Sequence, residues 1–325
     1  MRNKSIDILK FIGLLLIILA HTDPPIIIFQ LRNFDVVLLI VCSSLIFFEI
    51  NKSYNYGEYV ISRIKRLLIP TYIFLIIYFM IMFLFSRNSV NAKVIFETFT
   101  LFGGLSYVWI IKVYIIIALL LPISQFLYDK IDKNIFFFIT IIIYILYELM
   151  YYFGFFDNKI VDYLFAYIIP SFAIICYSLL LLKESNKKII IYSILSFIVF
   201  VAIAIYLYNS NNCFVDTNCA KYPFRVYYLS YSFFIIGLLY VFINRYKDLL
   251  YNKLVLFFSS HSLWIYLWHI LVLAAIQFIL PNMYWLIKYV LILLFTTIIV
   301  LIQSGFVNIL EKKNIDKKIL KIFKG

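Results

Sequence analysis

The sequence predicts an all-α, polytopic membrane protein of about ten transmembrane helices, with both termini in the cytoplasm. Three observations carry this. Of 325 residues, 65% are hydrophobic and the mean hydropathy is +1.00, whereas a soluble domain is roughly half apolar. The apolar residues fall in repeated runs of about 18 or more, the signature of spanning helices rather than of the short alternating strands of a β-barrel. Counting from a cytoplasmic N terminus, 21 of the 29 Lys and Arg lie in the segments on that side. Six lie on the other side, and Lys112 and Lys288 fall inside spans. Such asymmetry fixes orientation. It also assigns the net charge of +13 to short loops at a membrane face rather than to a nucleic-acid surface.

The spans are read at residues 6–22, 34–50, 67–85, 105–127, 134–153, 163–182, 188–208, 225–243, 256–280 and 284–305. The first carries Asp7, Lys10 and His21, and no polar side chain stands between Lys10 and His21. It has no small-residue cleavage site and is expected to be retained, not removed as a signal peptide. Eleven helical steps return His21 to within roughly 20° of Lys10, about 16 Å further along. One reading is a buried stripe with a cation at one end and an imidazole deep along it, because ionisable groups at membrane depth usually mark a site. The other is a snorkelling lysine and an interfacial histidine.

The second span opens Asn33-Phe-Asp35 and carries Ser43-Ser44 in its middle, small enough for close helix approach. Ahead of the third lies Tyr59-Val-Ile-Ser-Arg63-Ile-Lys-Arg66-Leu-Leu-Ile-Pro70. Arg63 and Arg66, three apart, share a helix side and suit a phosphate-bearing polyanion. Equally, basic clusters at a cytoplasmic boundary serve as orientation signals. In the fourth span Trp109 reads as an interface anchor and Pro122 as a helix end. Glu148, in the fifth, is a carboxyl inside an apolar run. It is either neutral or paired with a cation on another helix, and is a candidate for lining a cavity. Pro170 in the sixth reads as a kink.

Cys42 and Cys176 lie in spans as packing residues, and Cys213 and Cys219 bracket five residues of an external loop where a short-loop disulfide can form. No His stands near that pair, and two thiolates are too few for a metal centre, so no metal is expected. The ninth span opens Ser259-Ser-His261-Ser262 and continues through Tyr266 to His269. His269 sits mid-span with Tyr266 one turn earlier on nearly the same face. It is either a structural histidine held by the tyrosine or part of a pocket. Residues 1–310 form the transmembrane domain, and 311–325 form a basic cytoplasmic tail with apolar residues at helical spacing. That tail either lies on the inner membrane surface against anionic lipid or is a frayed, solvated end.

Taken together, these motifs resemble the acyltransferase-3 family of integral-membrane O-acyltransferases. Ile-Asp-Ile-Leu followed by a basic residue, ten residues and His matches its opening, with Lys10 where the family usually has Arg. Arg63, Arg66 and Pro70 match an Arg-x-x-Arg motif running into Leu and Pro. Ser43-Ser44 stands where a Ser-Gly pair is common. Trp109 with Pro122, and Ser262 with Tyr266 and His269, match later segments.

The resemblance implies transfer of an acyl group, most commonly acetyl, from cytoplasmic acetyl-CoA or another acyl-CoA to a hydroxyl of a cell-surface carbohydrate or its lipid-linked precursor. The donor is a co-substrate, and no permanently bound cofactor is implied. His21 is then the expected catalytic base, and Lys10, Arg63 and Arg66 the expected donor-binding residues. Glu148, Tyr266 and His269 are candidates for lining the pocket. Expected partners are the lipid bilayer of the plasma or inner membrane, acyl-CoA, a carbohydrate or glycolipid acceptor and glycan-assembly proteins. No nucleic acid is expected. Direct transfer by the membrane domain is expected. The rival classes are a flippase or transporter, for which the sequence shows no internal symmetry, and a glycan polymerase, which needs a larger external loop than the roughly 18 residues available.

Overall fold

The computed structural model describes residues 2–50, 55–85, 91–158, 161–162, 165–313, 320 and 322–323, and these are mostly helical with no strand among them. Among the described residues thirteen α-helices are defined: α1 Lys4–Ala20, α2 Ile26–Leu31, α3 Asp35–Ile50, α4 Tyr56–Phe85, α5 Ala92–Phe99, α6 Trp109–Lys130 and α7 Lys133–Tyr152. They continue as α8 Ile168–Lys183, α9 Asn186–Asn211, α10 Val226–Leu250, α11 Lys253–Ser260, α12 Ser262–Ile279 and α13 Trp285–Lys312. Among the described residues, eight stretches are long and apolar enough to cross a membrane: α2–α3, α4, α6 with its leading 3₁₀ turn, α7, α9, α10, α12 and α13. The other two predicted spans correspond to α1, at 17 residues, and α8, at 16. The chain is a multi-pass membrane protein.

Several predicted boundaries move for physical reasons. α1 ends at Ala20, so His21 lies just past the helix instead of inside it. Pro122 does not end its helix, because α6 runs on to Lys130. Membrane helices tolerate an interior proline where neighbouring groups satisfy the freed carbonyl. Pro170 is no kink. It sits in the first turn of α8, where the missing N–H would have had no helical partner. The predicted ninth span is broken at His261, which caps α11 by donating its backbone N–H to the Phe257 carbonyl before α12 begins.

The chain divides into two compact units. The first comprises residues 1–13, 26–56 and 116–251. α3 is its most buried element, with every apolar side chain from Val36 to Phe48 except the half-buried Ile46 covered, and it packs on α8 and α10. Gly13 of α1 lets that helix approach α3, since a Cβ there would lie 2.8 Å from Leu39 Cδ2. α9 and α10 form a hairpin pair with Gly237 at their contact.

The same unit holds a buried polar cluster. Asp35 accepts from Arg32 Nη1 at 2.7 Å and from Lys221 Nζ at 3.0 Å. Lys221 also donates to Asn33, whose amide reaches Thr217. Burial pushes the Lys221 ammonium below its usual range, and the Asp35 carboxylate opposes this. The cluster pins the 212–225 loop to the start of α3. In that loop Cys213 and Cys219 are both exposed, free thiols, so the structure does not contain the disulfide allowed for above.

The second unit comprises residues 14–25, 57–115 and 252–325. α12 and α13 pack together in it. Trp268 of α12 stacks edge-on against Phe74 of α4 and donates to Gln303 of α13 at 2.6 Å. Within the described part of the tail, Lys312 and Lys313 are exposed, whereas Leu320, Ile322 and Phe323 pack on this unit. Leu320 is buried, the Trp264 indole donates to the Ile322 carbonyl at 3.0 Å, and Phe323 stacks on Trp264. The tail lysines 317, 318, 321 and 324 lie outside the described residues.

Candidate active site

The site assembles in the second unit around His21. The end of α1 tightens into a turn there, with the His21 N–H donating to the Ile18 carbonyl and the Thr22 N–H to that of Leu19. Thr22 is fully buried and its hydroxyl also donates to Leu19, which anchors the turn from the inside. Asp23 follows with a left-handed φ of 56°, a conformation that Asp tolerates better than most residues. Two contacts from α13 hold this turn. Lys288, itself buried, donates from Nζ to Asp23 Oδ2 at 2.7 Å, and the Tyr289 hydroxyl donates to the Leu15 carbonyl at 3.3 Å.

The imidazole of His21 is clamped by aromatic neighbours. Tyr107, in the 3₁₀ turn Ser106–Val108 that leads into α6, meets it edge-on at 4.7 Å between centroids and 89° between planes. His269 of α12 stacks on it at 5.4 Å and 21°. Tyr266 lies 5.0 Å from His269, ring to ring, and donates its hydroxyl to the Tyr107 carbonyl, tying α12 to the start of α6. Nδ1 of His269 pairs with the Tyr266 carbonyl one turn back, and the whole ring is buried.

Three of the residues read from the sequence, His21, Tyr266 and His269, are therefore brought together. Arg63 and Arg66 lie in the same unit one turn apart on α4, continuous with the span, with the Arg63 guanidinium 5.5 Å over the Tyr59 ring. Lys10 and Glu148 belong to the first unit. The partner that the sequence could not name for Glu148 is Arg225, which donates to it at 2.8 Å, while its second oxygen accepts from the Val226 N–H at 2.7 Å and caps α10.

Residues 3–304 match a family model described as an acyltransferase domain, acyltransferase-3. The chain belongs to the acyltransferase-3 family. It is accordingly a membrane acyltransferase. Comparisons with curated proteins and with solved structures find no match. Within this acyltransferase, the sequence reading missed three residues that build the turn and clamp at His21. Asp23 stood two residues away, and Lys288 was visible as a cation inside an apolar run, which is costly unless it has a partner. Tyr107 gave no signal, because a tyrosine at the mouth of a span is ordinary.

Proposed function

We propose that the chain transfers an acyl group, acetyl in the first instance, from cytoplasmic acyl-CoA to a hydroxyl of a cell-envelope carbohydrate or its lipid-linked precursor. One observation carries the reading. In a chain of an acyltransferase family, a histidine just past a helix end is held in one orientation by Tyr107 and a second histidine. A histidine fixed in this way suits general-base work, since an imidazole nitrogen can accept a proton from a hydroxyl placed against it. In this scheme His21 takes the proton of the acceptor hydroxyl as its oxygen attacks the thioester carbonyl carbon. The C–S bond breaks, and the proton passes back to the departing thiolate, giving ester and free coenzyme A.

Arg63 and Arg66 are the proposed phosphate contacts, as charge-assisted hydrogen bonds favour guanidinium pairs on one helix side. Lys10 joins them on the sequence pattern alone. Acceptor binding by a glycan, and residence in the plasma or inner membrane with both termini inside, complete the proposal. Membranes containing the protein, given acetyl-CoA radiolabelled in the acetyl group, test it. Label is expected in extractable glycan, dependent on His21. Uptake or export of a glycan without acyl incorporation would make the chain a transporter instead.

A further inference from the structure

His269 carries an atom that the proposed reaction does not use. Its Nδ1 faces the backbone carbonyl of Tyr266. A carbonyl only accepts, so Nδ1 bears the hydrogen and Nε2 is left as a lone pair. Nε2 is buried and has no hydrogen-bond partner among the described residues. An orphaned buried acceptor is uncommon and costs free energy that a ligand can restore. His21 is poorly placed to be that partner. The two ring centroids lie 5.4 Å apart, and no hydrogen bond joins Nε2 to the His21 ring. The nearby Tyr266 hydroxyl is engaged with the Tyr107 carbonyl.

We infer that His269 Nε2 accepts a hydrogen bond from the acceptor substrate, from a hydroxyl adjacent to the one that His21 deprotonates. The substrate class is then a polyol with neighbouring hydroxyls and not an isolated alcohol, and His269 is a specificity-determining residue that transfers no proton. This rests on the acyl-transfer reading above and deepens it.

Two variants separate the features of the ring. His269→Phe keeps an aromatic face for His21 and removes the acceptor atom, while His269→Gln gives up the stack and keeps an amide oxygen at comparable reach. In membranes supplied with radiolabelled acetyl-CoA, His269→Phe is expected to lower labelling of glycan about 10- to 100-fold, the range of an unpaired buried hydrogen-bonding group. The KM for acetyl-CoA should stay within about twofold and free labelled acetate should rise relative to labelled glycan, because a poorly held acceptor lets water compete. His269→Gln should recover most of the loss. In the wild-type product, the carbon next to the new ester should carry a free hydroxyl.

The inference is overturned if Phe transfers as well as wild type, if Gln accumulates in the membrane yet is as inactive as Phe, or if the ester sits on an isolated hydroxyl. Should the Phe variant fail to accumulate, His269→Met replaces it with the same expectation. Wild-type membranes that label no glycan at all would instead remove the acyl-transfer reading, and this inference with it.

Discussion

At the scale of single residues, His21 and His269 look alike in composition and differ in what holds them. His269 is fixed by its own helix backbone, whereas His21 sits on a turn just outside a helix and is oriented by other side chains. In the proposed reaction, that difference favours His21 over His269 as the base. His21→Gln keeps a hydrogen-bonding side chain of similar reach but cannot take a proton at neutral pH. Turnover at saturating donor should therefore fall by about two to four orders of magnitude, with normal accumulation in the membrane. His21→Ala should fall no further than Gln. Near-normal acylation by the Gln variant, measured as labelled glycan, would move the base elsewhere. The sequence could suggest His21 because an ionisable side chain stands out in an apolar run. It could not show that the imidazole faces Tyr107, since no pattern links residues so far apart. Glu148 illustrates the same limit: its place in an apolar run was legible, but Arg225, 77 positions away, was not.

At the scale of elements, the long apolar runs were legible because each must satisfy its backbone internally across the membrane, which leaves helix as the single local solution. The short helices were not. α5 has eight residues and α11 eight, too few for periodicity to stand out from the neighbouring spans. The break at His261 likewise depends on a local backbone bond that apolar composition does not report. Helix packing follows from small residues, and Gly237 gives a measurable case. A Cβ added there would fall 2.1 Å from Ser193 Oγ on α9 and 2.7 Å from the Tyr177 hydroxyl on α8. The Tyr177 hydroxyl cannot easily retreat, because it donates to the Phe233 carbonyl at 2.7 Å. Gly237→Ala should thus destabilise by about 1–3 kcal/mol, the usual cost of overpacking, seen as a lower unfolding midpoint of the detergent-solubilised protein. Ser193→Gly in the same chain should return part of that loss by clearing the closer of the two contacts. A Gly237→Ala midpoint equal to wild type would mean that α9 and α10 do not meet as closely as described.

At the scale of the whole molecule, the remaining question is which face of the membrane each loop occupies, and that is set by charge and not by packing. Both termini are expected inside and the 212–225 loop outside, on the 21-to-6 division of Lys and Arg. Stable packing is compatible with either orientation, so only the basic loops distinguish them. The thiols make the question accessible to experiment. Cys213 and Cys219 are free and exposed in that loop, while Cys42 and Cys176 are buried. A membrane-impermeant maleimide applied to intact cells should label the wild-type chain, and Cys213→Ser with Cys219→Ser should abolish the labelling. A cysteine appended after Gly325 in that double variant should stay unlabelled until the cells are opened. The reverse pattern, a reactive C-terminal cysteine with silent loop thiols, would invert the chain. It would also place the Arg63 and Arg66 end of α4 on the outer side, away from any cytoplasmic acyl-CoA. The donor-binding role of the two arginines would fall even though every helix contact stood. Labelling before and after permeabilisation thus tests orientation and the geometry of donor binding in a single measurement.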